Sequence, residues 1–273
     1  MGSEVPKIIQ GSTARLVVDT TYARKVYPLD ANEQYYQREC DVYQRLERHP
    51  NIAELQRIEG RTLHLEVGEC LVDVIQHTSV STDQMAVWVQ QLGWGLLYMH
   101  SKGVIHSDLR TAYAIISKQG CAKWIDFGAS GIDDQPALDS YDVYSYKPRD
   151  PSLPLTSIET DIFAFGCTVF SMERGTSPYF IETRGMSTDA TMTFVEEKFR
   201  QNEFPSTAGL RFAKLINSCW NGDYRSMEDV LTDLNMEDAR QRNARSSSAV
   251  ALTSVFAAFI LWVAWRKRSY FTG

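Results

Sequence analysis

Val104-Ile-His106-Ser-Asp108-Leu-Arg110-Thr-Ala-Tyr113, with Asp126-Phe-Gly128 beginning eighteen residues after Asp108, is the stretch on which the reading of this chain turns. Either short motif recurs by chance, and an isolated Asp-Phe-Gly is an ordinary turn; order and spacing give the pair its weight. Toward the N-terminus, Ser81-Thr-Asp-Gln84 fits a capping box, and Met85, Trp88, Val89, Leu92, Leu96 and Met99 then repeat at helical spacing. Residues 31–48 read as a helix closed by His49-Pro50, because proline cannot continue a helix and disfavours it in the residue before. Residues 15–18 and 22–27 are β-rich runs, and residues 61–67 alternate as a half-buried strand does. Toward the C-terminus, residues 160–173 are apolar on nearly every side, predicting a buried central helix stopped at Gly175, with two more helices near 207–219 and 226–235. The expected class is α+β: a β-rich lobe over residues 1–67 holding one helix, and a mainly helical lobe over 68–236.

Composition excludes several alternatives. The chain has 273 residues, 44% hydrophobic and 23% charged, with 16 Gly and 9 Pro, so it is neither disordered nor collagen-like. A chain of this length buries roughly 70% of its unfolded surface, enough for a core without staples. Cys40, Cys70, Cys121, Cys167 and Cys219 form no CxxC and are odd in number, which argues against a zinc site or a disulfide framework and fits a reducing compartment. Net charge is −6, but residues 240–273 carry +6 and no acid, leaving −12 for residues 1–239. So acidic a body is not expected to bind nucleic acid, which is gripped by clustered Lys and Arg.

That basic tail encloses AVALTSVFAAFILWVAW at residues 249–265, seventeen residues without a charge, amide, Gly or Pro. At 1.5 Å per residue it covers about 25 Å, and about 30 Å with Ser246–248, close to the hydrocarbon thickness of a bilayer. Eight strongly apolar residues sum to roughly −2 to −5 kcal/mol of insertion energy, and Trp262 and Trp265 sit where interfacial aromatics belong. The alternative is a terminal helix packed on the soluble domain. Residues 237–248 read as a linker, 249–265 as a single transmembrane anchor and 266–273 as a basic tail, with the domain facing the cytosol because no signal peptide is visible. Mitochondrial outer membrane, peroxisome and endoplasmic reticulum all remain open as the target.

Over residues 8–236 the ordered motifs resemble those of the eukaryotic protein kinase family, in a divergent form. The resemblance implies a bilobal fold, ATP and Mg²⁺ as nucleotide and metal, and a protein substrate or binding partner. It implies that Lys25, in Thr21-Tyr-Ala-Arg-Lys25-Val, meets the α- and β-phosphates and that Glu39, fourteen residues later, orients it. Leu63-His-Leu65-Glu66-Val67-Gly68 resembles the strand entering the hinge, with Leu65 as gatekeeper and the Glu66 carbonyl and Gly68 amide as adenine contacts. Asp108 would take the substrate hydroxyl's proton, Arg110 would stand near the γ-phosphate, and Asp126 would hold Mg²⁺. His106 is expected to be structural. Asp161 would brace the catalytic loop, and Cys219-Trp220 with Arg225 would be structural; this pair sets the chain apart from small-molecule kinases.

The sequence departs from the family's pattern in three places. The glycine-rich loop keeps only Gly11, in Ile9-Gln-Gly11-Ser-Thr-Ala14, which should weaken phosphate cradling. Tyr113 stands where an asparagine would bind a second Mg²⁺, and a neutral phenol is a poor ligand for a hard cation. Ser107 replaces an arginine that receives activation-segment phosphate, so phosphorylation at Ser140, Tyr141, Tyr144, Ser145 or Tyr146 is not expected to switch activity. Asp150 is offered as a stand-in for a glutamate that would pair with Arg225. Two functions follow: a membrane-tethered kinase acting on protein hydroxyls, Ser/Thr in preference to Tyr, and a pseudokinase that serves as a tethered binding or scaffold module.

Overall fold

Five short strands, β1 (Lys7–Gln10), β2 (Arg15–Val18), β3 (Ala23–Val26), β4 (Leu55–Glu59) and β5 (Thr62–Leu65), form one antiparallel sheet in the order β1-β2-β3-β5-β4. The computed structural model describes residues 6–29, 33–139 and 142–236. Alternation along β3 turns Ala23 and Lys25 inward, and the register sets Lys25 opposite Leu63 of β5. The helix expected over 31–48 is α1 (Glu33–Leu46), whose buried face is Arg38, Glu39, Val42, Tyr43 and Leu46. It stops three residues before His49 because Glu47 turns into the left-handed region, its amide still donating to Tyr43 O at 3.1 Å.

The larger lobe opens with β6 (Gly68–Cys70), which leads directly into α2 (Leu71–His77). Seven residues are too few to show a period, and α2 was not expected. Next comes α3 (Thr82–Ser101), capped by Ser81 Oγ accepting from Gln84 N at 3.1 Å. Two hairpin layers follow: β7 (Val104–Ile105) pairs with β10 (Gly131–Ile132), while β8 (Ala114–Ser117) lies between β6 and β9 (Ala122–Trp124). Residues 51–53, beyond α1, are hydrogen-bonded to β9: Trp124 N donates to Asn51 O and Ala53 N to Trp124 O, both at 3.0 Å. The segment that ends α1 is thereby fixed to the hairpin flanked by the two aspartate motifs.

The central helix α4 (Ile158–Arg174) is buried without interruption from Thr160 to Met172 and ends at Gly175 with φ 75°. Its capping box is Ser157 with Thr160. At Gly166 a Cβ would fall 2.6 Å from Cys219 Cβ, so only glycine lets α6 (Ala213–Asn221) approach this closely. That helix was expected from residue 207. Instead Glu173 of α4 accepts from the amides of Arg211 and Phe212 at 2.8 and 3.0 Å, holding a turn there until α6 begins. Between them lies α5 (Thr188–Arg200), which was not expected, although Ser187 caps it and Thr191, Val195 and Phe199 bury every fourth residue. A further helix begins at residue 227. The proposed span 249–265, its linker and its basic tail lie outside the described residues, among which no helix is long and apolar enough to cross a membrane.

Candidate active site

Inward alternation on β3 and the apolar face of α1 bring Lys25 and Glu39 together, and the turn after β9 adds Asp126. Lys25 Nζ lies 2.7 Å from Glu39 Oε2 and 2.6 Å from Asp126 Oδ1. Glu39 is fully buried, and the Tyr27 hydroxyl donates to the same Oε2. Burial alone would depress the lysine's pKa, but Asp126 and Glu39 outweigh it and hold the ammonium well above its usual range. Burial likewise opposes ionisation of Asp126, yet Lys25 keeps it below the usual carboxylate range. One cation does not compensate both carboxylates equally: Asp126 is half-buried, whereas at fully buried Glu39 burial prevails over Lys25 and its pKa is raised.

Asp126 sits at φ 69° and Ser107 at φ 72°, backbone conformations that cost side-chain-bearing residues of order 1–3 kcal/mol unless the surroundings enforce them. The enforcement at Ser107 is visible. Asp161 of α4, fully buried, accepts from the amides of His106 and Ser107 at 2.8 and 3.0 Å and lies 2.9 Å from His100 Nε2. His106 Nε2 donates to Ile125 O at 3.1 Å while Nδ1 accepts from Asp108 N at 3.3 Å, a pattern that one neutral tautomer satisfies. Burial lowers its pKa, so it stays neutral and packs edge-on against Trp124 and Phe127. Ser107 Oγ bonds inward to Ile105 O at 3.2 Å.

Asp108 and Arg110 lie side by side: Arg110 Nη2 is 3.2 Å from Asp108 Oδ2 and also donates to the Tyr113 hydroxyl. Burial pushes the Asp108 carboxyl up to about 7, against the pull of Arg110. Asp108 Oδ1 and Arg110 Nε are both buried without a hydrogen-bond partner. Asp142, whose Oδ2 is 3.9 Å from Arg110 Nη1, joins this group; nothing in its sequence context marked it out.

The remaining candidates are more dispersed. Gly11 lies on the exposed turn between β1 and β2, its amide donating to Ala14 O at 2.9 Å. Leu65 is buried, opposite Ala23 and Leu55. The Glu66 side chain pairs with Lys123 at 2.7 Å and accepts from Glu54 N at 3.1 Å, pinning the crossing between lobes. Gly68 enters β6 opposite Ser117, where a Cβ would fall 2.7 Å from Ile116 O. The Asp150–Arg225 pairing is not formed: Asp150 accepts from Ser152 N at 2.8 Å in its own turn, and exposed Arg225 lies near Glu159.

Sequence reasoning also missed Arg38. Buried on α1 beside Glu39, it donates to Ser130 O, to Pro136 O at 2.9 Å and to Gln135 Oε1 at 3.3 Å, and Arg45 pairs with both Asp133 oxygens at 2.9 and 2.7 Å. These bonds tie the segment after Asp126-Phe-Gly128 to α1 with no phosphate involved. A buried Arg next to a buried Glu gives no separate signal in the sequence, because either could face water on an isolated helix.

Among the described residues no three His, Cys, Asp or Glu side chains form a metal cage. Mg²⁺ takes one or two carboxylates and completes its shell from phosphates and water, and the Asp126 carboxyl, kept ionised by Lys25, would be a donor of that kind.

A small antiparallel sheet with one helix, set on a helical lobe across a Lys–Glu–Asp cluster, defines the bilobal kinase class. The family model described as "Protein kinase domain" matches residues 3–232, and the chain belongs to that family. It is similar to the cytokinesis protein sepH of Aspergillus terreus, 26% identical over 173 residues, 59% of this chain and 13% of that protein. A probable serine/threonine-protein kinase of Dictyostelium discoideum is 30% identical over 166 residues, 55% of this chain and 26% of its own length. Protein kinase kin1 of Schizosaccharomyces pombe is 28% identical over 172 residues, 58% of this chain and 18% of that protein. The matched segments thus span about a quarter or less of these relatives.

Proposed function

We propose that the chain transfers the γ-phosphoryl group of ATP to a protein hydroxyl, Ser/Thr in preference to Tyr. The observation that carries this is Lys25 Nζ held 2.7 and 2.6 Å from Glu39 and Asp126, a cation fixed at the cleft before any ligand arrives. In this reading the lysine meets the α- and β-phosphates, while Glu66 and Gly68 contribute backbone groups to adenine and Gly11 covers the phosphates. Asp108 accepts the hydroxyl proton as that oxygen bonds to the γ-phosphorus, the bond from phosphorus to the β,γ-bridging oxygen breaks, and ADP leaves. Arg110 offsets charge on the transferred group. Mg²⁺, held by Asp126, supplies further charge neutralisation on the phosphates. The serine/threonine preference rests on the printed name of the Dictyostelium relative.

A binding or scaffold role without turnover is favoured by a different observation. Tyr113 replaces a metal-binding residue, and the Asp108 carboxyl, at about 7, is substantially protonated at neutral pH. One experiment separates the two: γ-phosphate transfer by the full chain to a generic protein, beside an Asp108→Asn control, with the thermal midpoint followed as Mg-ATP is added. Transfer above the control establishes the kinase; a midpoint shift with transfer equal to the control selects the binding module. We further propose that residues 249–265 anchor the chain in a membrane. Retention in the membrane after alkaline extraction should be lost when residues 246–273 are deleted, and persistence would refute the anchor.

A further inference from the structure

The loop after Asp108 folds back on itself. Residues 111–113 make one turn of 3-10 helix, Tyr113 N donates to Arg110 O at 2.9 Å, and the tyrosine returns alongside the arginine two residues after Asp108. The guanidinium carbon stands 4.2 Å above the Tyr113 ring, with Nη2 bonded to the phenol oxygen. It is held at the same time by Asp108 Oδ2 at 3.2 Å and approached by Asp142 Oδ2 at 3.9 Å. Three carboxylates, Asp108, Asp126 and Asp142, therefore surround this end of the cleft, and Arg110 and Lys25 are the cations that act on them.

A triphosphate entering here adds more negative charge, which must be met by fixed cations or by metal ions. A phenol is a poor ligand for a hard divalent ion, yet its ring and oxygen suit a guanidinium, which stacks on aromatic faces and donates in a fixed fork. The unpartnered atoms agree with this. Arg110 Nε is a buried donor and Asp108 Oδ1 a buried acceptor, both without a partner, so the pair is poised toward a ligand that offers an anionic oxygen and a hydroxyl.

We propose that Tyr113 is a positioning residue that holds Arg110 over the cleft as a permanent cation in place of a second divalent ion, so that the site takes one metal ion with its nucleotide. The inference rests on the nucleotide-binding part of the function proposed above, and it holds whether or not transfer follows.

The test counts ions rather than turnover. Mn²⁺ bound to the full chain with a non-hydrolysable ATP analogue is measured by electron paramagnetic resonance, with analogue affinity measured in parallel. The wild-type chain should bind one Mn²⁺ per nucleotide and Tyr113→Asn two. Tyr113→Phe, which keeps the ring and removes the phenol oxygen, should bind one and lose about three- to tenfold in analogue affinity. Two ions in the wild-type chain would overturn the proposal while leaving nucleotide binding intact. So would a single ion in a Tyr113→Asn chain that melts like the wild type, or unchanged affinity in Tyr113→Phe. No analogue binding at any Mn²⁺ concentration would overturn both this inference and the nucleotide-binding reading.

Discussion

On one side of the cleft, Lys25 is held between two carboxylates that the fold itself supplies. On the other, Asp108 Oδ1 and Arg110 Nε are buried with no partner at all. In the first arrangement β3, α1 and the turn at Asp126 meet and fix the lysine through two direct ion pairs, although Glu39 Oε1 stays buried without a hydrogen-bond partner. The second carries unmet hydrogen-bonding capacity at both a donor and an acceptor, which costs on the order of 1–3 kcal/mol per group when buried and would be recovered by a ligand that bonds to both. The difference lies in how charge is met: Lys25 is paired twice by carboxylates from α1 and the turn at Asp126, whereas Asp108 and Arg110 pair with each other and each keeps one buried atom free for a further partner.

The sharpest way to break this comparison is at Asp108. Asp108→Asn should reduce transfer by about 10²- to 10⁴-fold, and an equal rate in the variant would remove Asp108 from the chemistry. Because its carboxyl titrates near 7 in the fold, kcat/KM of the wild-type chain should rise with pH through about 7 and level off above. Stability should run the other way. The folded state keeps a proton over roughly pH 4–7 that the unfolded chain has released, so this group's contribution falls as pH rises through that window. Asp108→Asn should accordingly melt above the wild type at about pH 8, with the gap closing near pH 4.

On the lysine side, Lys25→Met should cost about 10²- to 10³-fold in transfer. It should also cost about 3–5 kcal/mol of stability by urea titration, since it strands Glu39 and Asp126. A rate loss without a stability loss would mean that the Lys25–Glu39–Asp126 cluster does not help hold the fold together. Arg38→Met strands the Ser130 and Pro136 carbonyls and should cost about 1–3 kcal/mol, with transfer falling because α1 loses its tie to the segment that carries Asp126. Phosphatase treatment should leave wild-type transfer unchanged, since those bonds use no phosphate. The smallest effect lies away from the cleft: Gly166→Ala, forcing a Cβ to 2.6 Å from Cys219 Cβ, should cost about 1–3 kcal/mol with a near-normal KM for ATP.

Which parts were legible follows from how far each depends on local sequence. Helix α4 was readable because apolar residues lie on nearly every side of it and its stop is a glycine; α3 because its cap and period agree. Helix α5 had a cap and a four-residue repeat that could have revealed it, whereas α2 was too short to show any period. Among candidate site residues, Lys25, Glu39, Asp108, Arg110 and Asp126 were singled out through order and spacing, and the fold brings Lys25 to Glu39 and Asp126 and sets Arg110 beside Asp108. Tyr27, Arg38, His100 and Asp142 were not, since each matters only through a partner 12 to 92 residues away.

The sequence by itself determined the alternation that turns Lys25 inward, the helical face that carries Glu39, and the substitution of tyrosine at 113, because strand and helix periods are local properties. Only the tertiary structure decided what those side chains meet. That Lys25 meets Asp126, that Arg38 ties α1 to the segment beyond Asp126, and that Asp150 leaves Arg225 alone all depend on distances between segments remote in sequence. Such distances are fixed when buried charges and hydrogen-bond donors must find partners in a closed core, a condition no single segment can satisfy or reveal.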